Sequence, residues 1–263
     1  MGYKLMACDY DGTLTDSRSR VSEHTRECIQ RVLDAGKFVT LCSGRTPVEE
    51  NGLRRMFPAV PLILANGSIL QNAATGELLM EETMDPETAL RVMRWARHKG
   101  GAAMIWTPKG LYADRVNYYS RRYEKKVFRL SEKLRRPEQA AEEGIYKIML
   151  VGLPRSIARA KERLPELCGA VNAFTSSSVG LEIVAPTVDK AFGLRKAAEY
   201  LGIAREEVIA IGDGENDIPM LRWAGLGIAM ENAPDSVKAV ADEIAPDCDH
   251  DGAAWAMEKY LLE

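Results

Sequence analysis

The sequence predicts an α/β fold in which a doubly wound, Rossmann-like parallel sheet forms the core and an α+β domain is inserted into it. Two observations support this prediction. Short apolar strands alternate with amphipathic helices at both ends of the chain, whereas the middle has a different pattern. With 263 residues the chain is long enough for one large core and a smaller companion domain. We expect residues 1–82 and 188–263 to form the core and residues 83–187 the inserted domain.

The N-terminal elements have the order expected of parallel βαβ units. Ser22 can cap a helix that ends at Gly36, and Pro47 can begin a second helix. Three short apolar runs before, between and after these helices predict buried strands at residues 3–8, 38–42 and 61–65. Short connections between such elements are typical of a doubly wound sheet.

The same alternation returns near the C-terminus. Lys190 begins a helix that ends at Gly202, and Asn216 can cap the next one. A closing helix is expected from about Gly252. Further strands are predicted at residues 208–211 and 226–230.

The intervening segment is predicted to be a separate α+β unit. Asp85 can cap a helix that Pro86 opens and that ends near residue 100, and another helix follows Pro154. Strands are expected around residues 102–106, 145–151 and 181–185.

The charge and the cysteines of the chain exclude several classes of protein. The net charge is −3, with 35 basic and 38 acidic residues, so we expect neither nucleic acid nor a membrane as partner. The dense basic stretch at residues 121–126 is interpreted as a solvated helix face that could help to attract phosphate. Five scattered cysteines form no CxxC pair, which argues against a zinc ribbon or a disulfide framework. We expect a cytoplasmic protein.

Polar residues follow several of the predicted strands directly. Asp9 and Asp11 follow the first strand, Ser43 follows the second, and Asp213 and Asp217 follow a later one. The carboxyl ends of parallel strands meet at one edge of the sheet, where ligands bind. These residues are therefore expected to share one pocket.

Such a pocket needs a cation and suits a phosphoryl group. Carboxylates a few ångströms apart resist ionisation, and a hard divalent ion relieves this; oxygen ligands without histidine favour Mg²⁺. Lys190 offers a second positive charge, while Ser43 and the amides of Gly44 and Gly12 offer hydrogen-bond donors. Charge neutralisation, positioning and a nucleophile are what phosphoryl transfer requires.

These residues resemble the four motifs of the haloacid dehalogenase superfamily. The matching segments are Asp9-Tyr10-Asp11-Gly12-Thr13-Leu14, Ser43-Gly44-Arg45, Lys190, and Gly212-Asp213-Gly214-Glu215-Asn216-Asp217. The domain inserted after the third strand, Asn66-Gly67, and the tail Met230-Glu231-Asn232-Ala233 are similar to its Cof-type phosphatase branch. One departure is that Ala191, with Gly193 further on, stands where the family usually has glycine after the motif lysine.

The resemblance implies a role for each matching residue. It implies that Asp9 is the nucleophile that becomes an aspartyl-phosphate and that Asp11 is the general acid and base. It implies a Mg²⁺ site made of the Asp9 and Asp213 carboxylates and the Asp11 carbonyl. Phosphate-binding residues would be Ser43, Gly44, Lys190 and Asn216, with Asp217 orienting Lys190 or a metal-bound water.

Several functions remain open from the sequence. The resemblance favours a phosphatase for sugar phosphates or similar small metabolites, with the inserted domain as a lid or cap. A sugar phosphomutase of the same superfamily is an alternative. A regulatory protein that accepts phosphate without turnover belongs to another class; such receivers are about half as long and lack the inserted domain. Asn66-Gly67 is compatible with a plain hairpin turn or with a loop at the substrate's edge.

Overall fold

The structure is a computed structural model that describes residues 2–47, 49, 52–58, 60–97, 102–126, 132–134, 136–177 and 179–263. In chain order its strands are β1 (Leu5–Cys8), β2 (Phe38–Leu41), β3 (Pro61–Leu64), β4 (Ile69–Asn72), β5 (Leu78–Glu81), β6 (Ala102–Thr107), β7 (Gly110–Ala113), β8 (Glu132–Lys133), β9 (Lys147–Val151), β10 (Asn172–Ser177), β11 (Gly180–Val184), β12 (Val208–Gly212), β13 (Leu226–Met230) and β14 (Glu243–Ala245). Its helices are α1 (Glu23–Asp34), α2 (Pro86–Arg97), α3 (Tyr118–Lys126), α4 (Pro137–Glu143), α5 (Pro154–Cys168), α6 (Lys190–Leu201), α7 (Ile218–Trp223), α8 (Asp235–Lys238) and α9 (Gly252–Met257).

The chain divides into two compact units. Unit 1 consists of Met1–Arg45, Glu50–Met80 and Asp189–Glu263, and unit 2 of Thr46–Glu49 and Glu81–Val188. No helix in the part of the chain that the structure describes is both long and apolar enough to cross a bilayer.

Unit 1 contains a five-stranded parallel sheet in the order β14-β13-β12-β1-β2. Strand β1 is fully buried and pairs in register with β12 on one side and with the edge strand β2 on the other. On one face of the sheet, Leu5 and Ala7 of β1 share a core cluster with Leu194 of α6 and Met220 of α7. The predicted α/β fold with a parallel sheet is confirmed.

The third predicted strand pairs differently from expectation. β3 forms an antiparallel hairpin with β4 in a separate three-stranded sheet, and an isolated parallel bridge between Cys42 and Ile63 joins it to the parallel strands. The tight turn at residues 65–67 returns the chain on itself, so β4 takes the pairing position beside β3. Pro47 lies in a turn rather than in the predicted helix; residues 53–56 form a short 3₁₀ segment, and residues 48, 50 and 51 lie outside the described residues.

The helix ends confirm most of the capping predictions. The hydroxyl of Ser22 accepts a hydrogen bond from the amide of Thr25 at the start of α1. Gly202 ends α6 in the left-handed conformation, with φ of 67°. The prediction that Asn216 caps a helix is wrong. Asn216 lies inside a 3₁₀ turn over residues 215–217 that leads into α7, and Gly214 precedes that turn.

Unit 2 contains a six-stranded sheet in the order β10-β11-β9-β6-β7-β8. Its described pairs are antiparallel except β7 with β8. The predicted strands near residues 102, 145 and 181 correspond to β6, β9 and β11, and the end of the helix expected near residue 100 lies outside the described residues. The helix face expected at residues 121–126 corresponds to α3. The strands β7, β8 and β10 and helix α4 were not predicted, because these segments are too short for a hydrophobic pattern to separate them from loops.

Candidate active site

Two neighbouring strands of unit 1 end beside each other at acidic residues. Cys8 of β1 lies opposite Ile211 of β12, and the amide of Asp9 donates to the carbonyl of Ile211 over 3.0 Å. Because the strands are parallel and in register, the residues that follow them, Asp9 and Asp213, lie at the same edge of the sheet.

Lys190 is the buried cation of this edge. Its Nζ donates to Oδ1 of Asp9 over 2.6 Å and to Oδ1 of Asp217 over 2.5 Å, and the residue is inaccessible to solvent. Burial acts to lower the pKa of Lys190, but the carboxylates of Asp217 and Asp9 outweigh burial, so the pKa is raised. Lys190 therefore keeps its charge at neutral pH and joins the loops that follow β1 and β12.

Asp217 is held by a second set of hydrogen bonds. Its Oδ2 accepts from the amide of Asp213 over 3.0 Å and from the amide of Gly214 over 2.8 Å, while Oδ1 accepts from Lys190. A side chain at Gly212 would place its Cβ 2.4 Å from Cγ of Asp217, so only glycine fits there. Both oxygens of Asp217 are thus engaged within the protein, which suits a residue that positions Lys190.

Three carboxylates form a cluster at this edge. One oxygen each from Asp9, Asp213 and Asp217 lies within 4.8 Å of the others. Burial is the main cause that raises the pKa of Asp9, and the Asp217 and Asp213 carboxylates add to it against the opposing effect of Lys190. Burial and the Asp217 carboxylate raise the pKa of Asp213 to about 6. Each ionised carboxylate therefore makes the next harder to ionise, and a cluster made only of oxygen donors fits a hard divalent cation.

Asp11 lies beside this cluster with its side chain directed elsewhere. Its two carboxylate oxygens accept from Arg45, with Nη2 to Oδ1 at 3.0 Å and Nε to Oδ2 at 3.2 Å. The Arg45 guanidinium also lies over the ring of Tyr10, 4.6 Å from its centroid. The next residue, Gly12, has φ of 85°, and a Cβ there would lie 2.7 Å from Oδ2 of Asp213. The turn after β1 can therefore approach Asp213 closely only with glycine at this position.

Ser43 lies at the end of the neighbouring strand. It is buried, its amide donates to the carbonyl of Ile63, and its Oγ accepts from the amide of Arg45 over 3.2 Å. The structure thus places Ser43 and Gly44 in a turn directly after β2, at the strand end that the sequence predicted. The Oγ hydrogen bond shows that Ser43 also shapes this turn.

The Asn66-Gly67 turn connects the hairpin to the predicted phosphate-binding residues. Asn66 is buried with φ of 57°, and its Oδ1 accepts from Nδ2 of Asn216 over 3.1 Å. Gly67 has φ of 101°, and a Cβ there would lie 2.2 Å from the carbonyl oxygen of Asp189. The segment is therefore a hairpin turn that also holds Asn216 and packs at the start of α6.

Gly193, which lies two positions after the place where the family usually has glycine, has a packing role. A Cβ at Gly193 would lie 2.4 Å from Cγ2 of Ile63 and 2.7 Å from Cα of Gly67, whereas Ala191 is buried with its methyl group accommodated. The close approach of α6 to the hairpin thus requires glycine at position 193. The substitution of alanine for the usual glycine after the motif lysine leaves the pairing of Lys190 intact.

Sequence reasoning gave no role to three residues that contact the site. Arg45 binds Asp11, and Thr13 donates to Oδ1 of Asp213 over 3.1 Å. Asn232 donates from Nδ2 to the carbonyl of Gly12 over 2.9 Å and to Oδ2 of Asp213 over 3.3 Å. All three lie in the matching motifs or in the tail segment, so their positions could have marked them as site residues. The sequence does not reveal which residues they bind.

Comparison with known proteins identifies the family of this chain. A family model described as haloacid dehalogenase-like hydrolase matches residues 6–257. The 5-amino-6-(5-phospho-D-ribitylamino)uracil phosphatase YcsE of Bacillus subtilis is 31% identical over 265 residues, covering 98% of this chain and 96% of its own. The phosphoglycolate phosphatase of Methanoculleus marisnigri is 27% identical over 260 residues, covering 98% and 96%.

Solved structures agree with this assignment. A haloacid dehalogenase-like hydrolase from Bacteroides thetaiotaomicron superposes with a TM-score of 0.85 at 30% identity, covering 98% of this chain and 99% of its own. The predicted family, the α/β fold and the class of phosphoric monoester hydrolase are confirmed by these comparisons. The chain belongs to the haloacid dehalogenase-like hydrolases.

Proposed function

We propose that the protein is a Mg²⁺-dependent phosphatase that hydrolyses small phosphorylated metabolites, such as sugar phosphates, through an aspartyl-phosphate on Asp9. The observation that carries this proposal is the contact of Lys190 with Asp9 and Asp217 at the edge where Asp213 also lies. A nucleophilic carboxylate, a fixed cation and a cluster that suits a divalent ion are the groups needed for phosphoryl transfer.

In this proposal Asp9 attacks phosphorus with Oδ2, because Lys190 binds Oδ1. The Oδ2–phosphorus bond forms as the bond from phosphorus to the substrate oxygen breaks, and Asp11 gives that oxygen a proton. Water then attacks phosphorus, Asp11 accepts its proton, and Asp9 is restored as a carboxylate. Arg45 binds both oxygens of Asp11 and directs this side chain away from the cluster, so the proposal requires Asp11 to leave Arg45 in order to reach the substrate oxygen.

The charge of the phosphoryl group is shared among several residues. Lys190 lies next to the attacked position because it binds the nucleophile, and Ser43, the amide of Gly44 and Asn216 are assigned to the phosphate oxygens. Asp217 orients Lys190, since both of its oxygens are occupied by hydrogen bonds. The Asn216 amide is itself aligned by Asn66.

The residues that would hold Mg²⁺ are the carboxylates of Asp9 and Asp213 and the main-chain carbonyl of Asp11. Their oxygen-only character, and the raised pKa values of Asp9 and Asp213, fit a hard cation. When bound, the ion would neutralise charge on the transferring phosphoryl group. Thr13 and Asn232 would hold Asp213 in the orientation that this requires.

We further propose that unit 2 is the cap domain and supplies the residues that select the substrate, and that the protein works in the cytoplasm. Two relatives named for chemically different substrates, YcsE and the phosphoglycolate phosphatase, match the chain over nearly its full length. Membership of the family therefore leaves the substrate open.

The proposal is tested with p-nitrophenyl phosphate and a panel of sugar phosphates, with Mg²⁺ and then with EDTA. We expect Mg²⁺-dependent release of phosphate, loss of turnover in Asp9→Asn, and unchanged turnover in Asp34→Asn, an exposed aspartate of α1 used as control. Turnover by Asp9→Asn equal to that of the control would contradict the assigned nucleophile. Transfer to a second hydroxyl of the sugar would indicate a mutase, and stoichiometric labelling without turnover a receiver.

A further inference from the structure

A second group of metal-binding side chains lies in unit 1 and shares no residue with the acidic cluster at Asp9. His24 and Cys28 are four residues apart on α1, so their side chains lie on the same face of this helix. Glu258 belongs to the helical segment of residues 258–262, which follows α9 and contacts α1. One ligand atom from each of the three residues lies within 4.8 Å of the other two. Two distant parts of the chain thus bring an imidazole, a thiol and a carboxylate together.

The distances within this group are close to those of a tetrahedral metal site. Nε2 of His24 lies 3.9 Å from Sγ of Cys28 and 3.9 Å from Oε2 of Glu258. With ordinary Zn–S, Zn–N and Zn–O bond lengths, ligand atoms in tetrahedral coordination are about 3.3 to 3.6 Å apart. The two pairs that include His24 therefore need to shorten by only roughly 0.3 to 0.6 Å to share one Zn²⁺ ion.

Arg31, one turn further along α1, supports the carboxylate of this group. Its Nη1 donates to Oε1 of Glu258 over 2.7 Å, and Oε2 is the oxygen nearer to His24. Ligating carboxylates are commonly held by such an outer hydrogen bond. Burial and the Glu258 carboxylate raise the pKa of Cys28 to about 11 against the opposing effect of Arg31. The thiol is therefore protonated at neutral pH, and a metal must displace this proton in order to bind.

We propose that His24, Cys28 and Glu258 bind a Zn²⁺ ion, which joins α1 to the C-terminal helical segment. Thiolate sulfur and imidazole nitrogen are ligands that Zn²⁺ prefers, whereas Mg²⁺ prefers oxygen, so the group differs in its metal from the acidic cluster. The bond from sulfur to Zn²⁺ forms as the thiol proton passes to solvent. The side chains of His24 and Glu258 are 48% and 41% exposed, so the ion can enter from solvent and water can fill the fourth position.

The test measures metal binding by the full chain after its metals have been removed. The protein is treated with EDTA and transferred to chelator-free buffer with excess Mg²⁺. Zn²⁺ affinity is measured by competition with a chromogenic chelator, and Cd²⁺ is used as a probe because its bond to a thiolate gives a charge-transfer band in the ultraviolet. The variants are His24→Gln, Cys28→Ser and Glu258→Gln. Cys248→Ser is the matched control, because Cys248 is a partly exposed cysteine outside the group.

We expect the unmodified protein to bind one Zn²⁺ per chain at this group and to melt at a higher temperature when it is bound. Each ligand variant should weaken Zn²⁺ binding at least about tenfold, because loss of a group that only supports a ligand already costs that much. Cys28→Ser should remove the Cd²⁺ band, whereas Cys248→Ser should bind both ions as the unmodified protein does. Asp213→Asn, which alters the acidic cluster, should keep the Zn²⁺ bound at the group.

The assignment would be overturned by equal Zn²⁺ affinity in the unmodified protein and the ligand variants, and the contact of Glu258 with Arg31 would then be an ion pair alone. A Cd²⁺ band lost in Cys248→Ser but kept in Cys28→Ser would have the same effect. If Cys28→Ser does not fold, His24→Gln and Glu258→Gln decide the question, because they change partly exposed side chains. Their turnover of p-nitrophenyl phosphate with Mg²⁺ alone should be unchanged, so this proposal and the proposed phosphatase activity can fail independently.

Discussion

Replacing Asp213 by asparagine should make the metal-free protein more stable while it abolishes the response to Mg²⁺. Burial and the Asp217 carboxylate raise the pKa of Asp213 from 3.8 to about 6. The folded state therefore holds this proton more tightly than the unfolded state, and ionising Asp213 makes folding less favourable as the pH rises from about 4 to about 6. Asparagine has nearly the same shape and no charge, so it removes this penalty.

The magnitude follows from the size of the pKa change. A shift of about 2 units corresponds to roughly 3 kcal/mol above pH 6, and to about 1 kcal/mol at pH 4.5. Asparagine must also rearrange the hydrogen bonds that Asp213 accepts from Thr13 and Asn232, which costs about 1 kcal/mol. The net gain is about 2 kcal/mol at pH 8, or roughly 4–8 °C in melting temperature, and close to zero at pH 4.5.

The assay is thermal unfolding in EDTA at both pH values, repeated at pH 8 with saturating Mg²⁺. Mg²⁺ at 100 times its dissociation constant should stabilise the unmodified protein by about 2.7 kcal/mol and the variant much less. Asp34→Asn is the control for the substitution itself. The reasoning is refuted by a variant that is less stable than the unmodified protein in EDTA at pH 8, or by equal stabilisation of both by Mg²⁺.

Two further substitutions test the buried contacts of α6. Lys190→Met should lower kcat at least about 100-fold and lower the melting temperature, because Asp9 loses its cation; Lys196→Met on the exposed side of α6 should do neither. If Lys190→Met retained a tenth or more of the unmodified protein's kcat in steady-state assays, the role of Lys190 at Asp9 would be contradicted. Gly193→Ala should destabilise the protein by about 1–3 kcal/mol although alanine favours helix, because its Cβ would lie 2.4 Å from Ile63. If Gly193→Ala left the chemical denaturation curve unchanged, the β3–β4 hairpin would have moved to accommodate the added Cβ without loss of stability, and this prediction would be wrong.

The parallel core was predictable because its strands are short, apolar and end at polar residues. The strands at residues 38–42 and 208–211 differ from β2 and β12 by one residue at most at their C-terminal ends. A hairpin turn at Asn66-Gly67 was one of two alternatives left open, but strand β4 was not predicted, because a buried apolar strand has no periodicity that reveals its partner. The contact between Asn66 and Asn216 is seen only in the structure.

Only part of the side-chain pairing within the site could be predicted. The resemblance implied that Asp217 orients Lys190 or a metal-bound water; the structure has the contact with Lys190 and adds that Lys190 also binds Asp9. The bidentate contact between Arg45 and Asp11 depends on the turn after β2, whose shape follows from long-range packing.

The central claim is that Asp9 carries the phosphoryl group during turnover. The most direct measurement is to quench the reaction in acid within its first turnover, reduce the protein with borohydride, and locate the modified residue by mass spectrometry. An acyl phosphate on Asp9 predicts homoserine at position 9 in a fraction that rises and decays with product formation. Steady product release with position 9 unmodified at every time, together with inversion of configuration at phosphorus, would contradict the account.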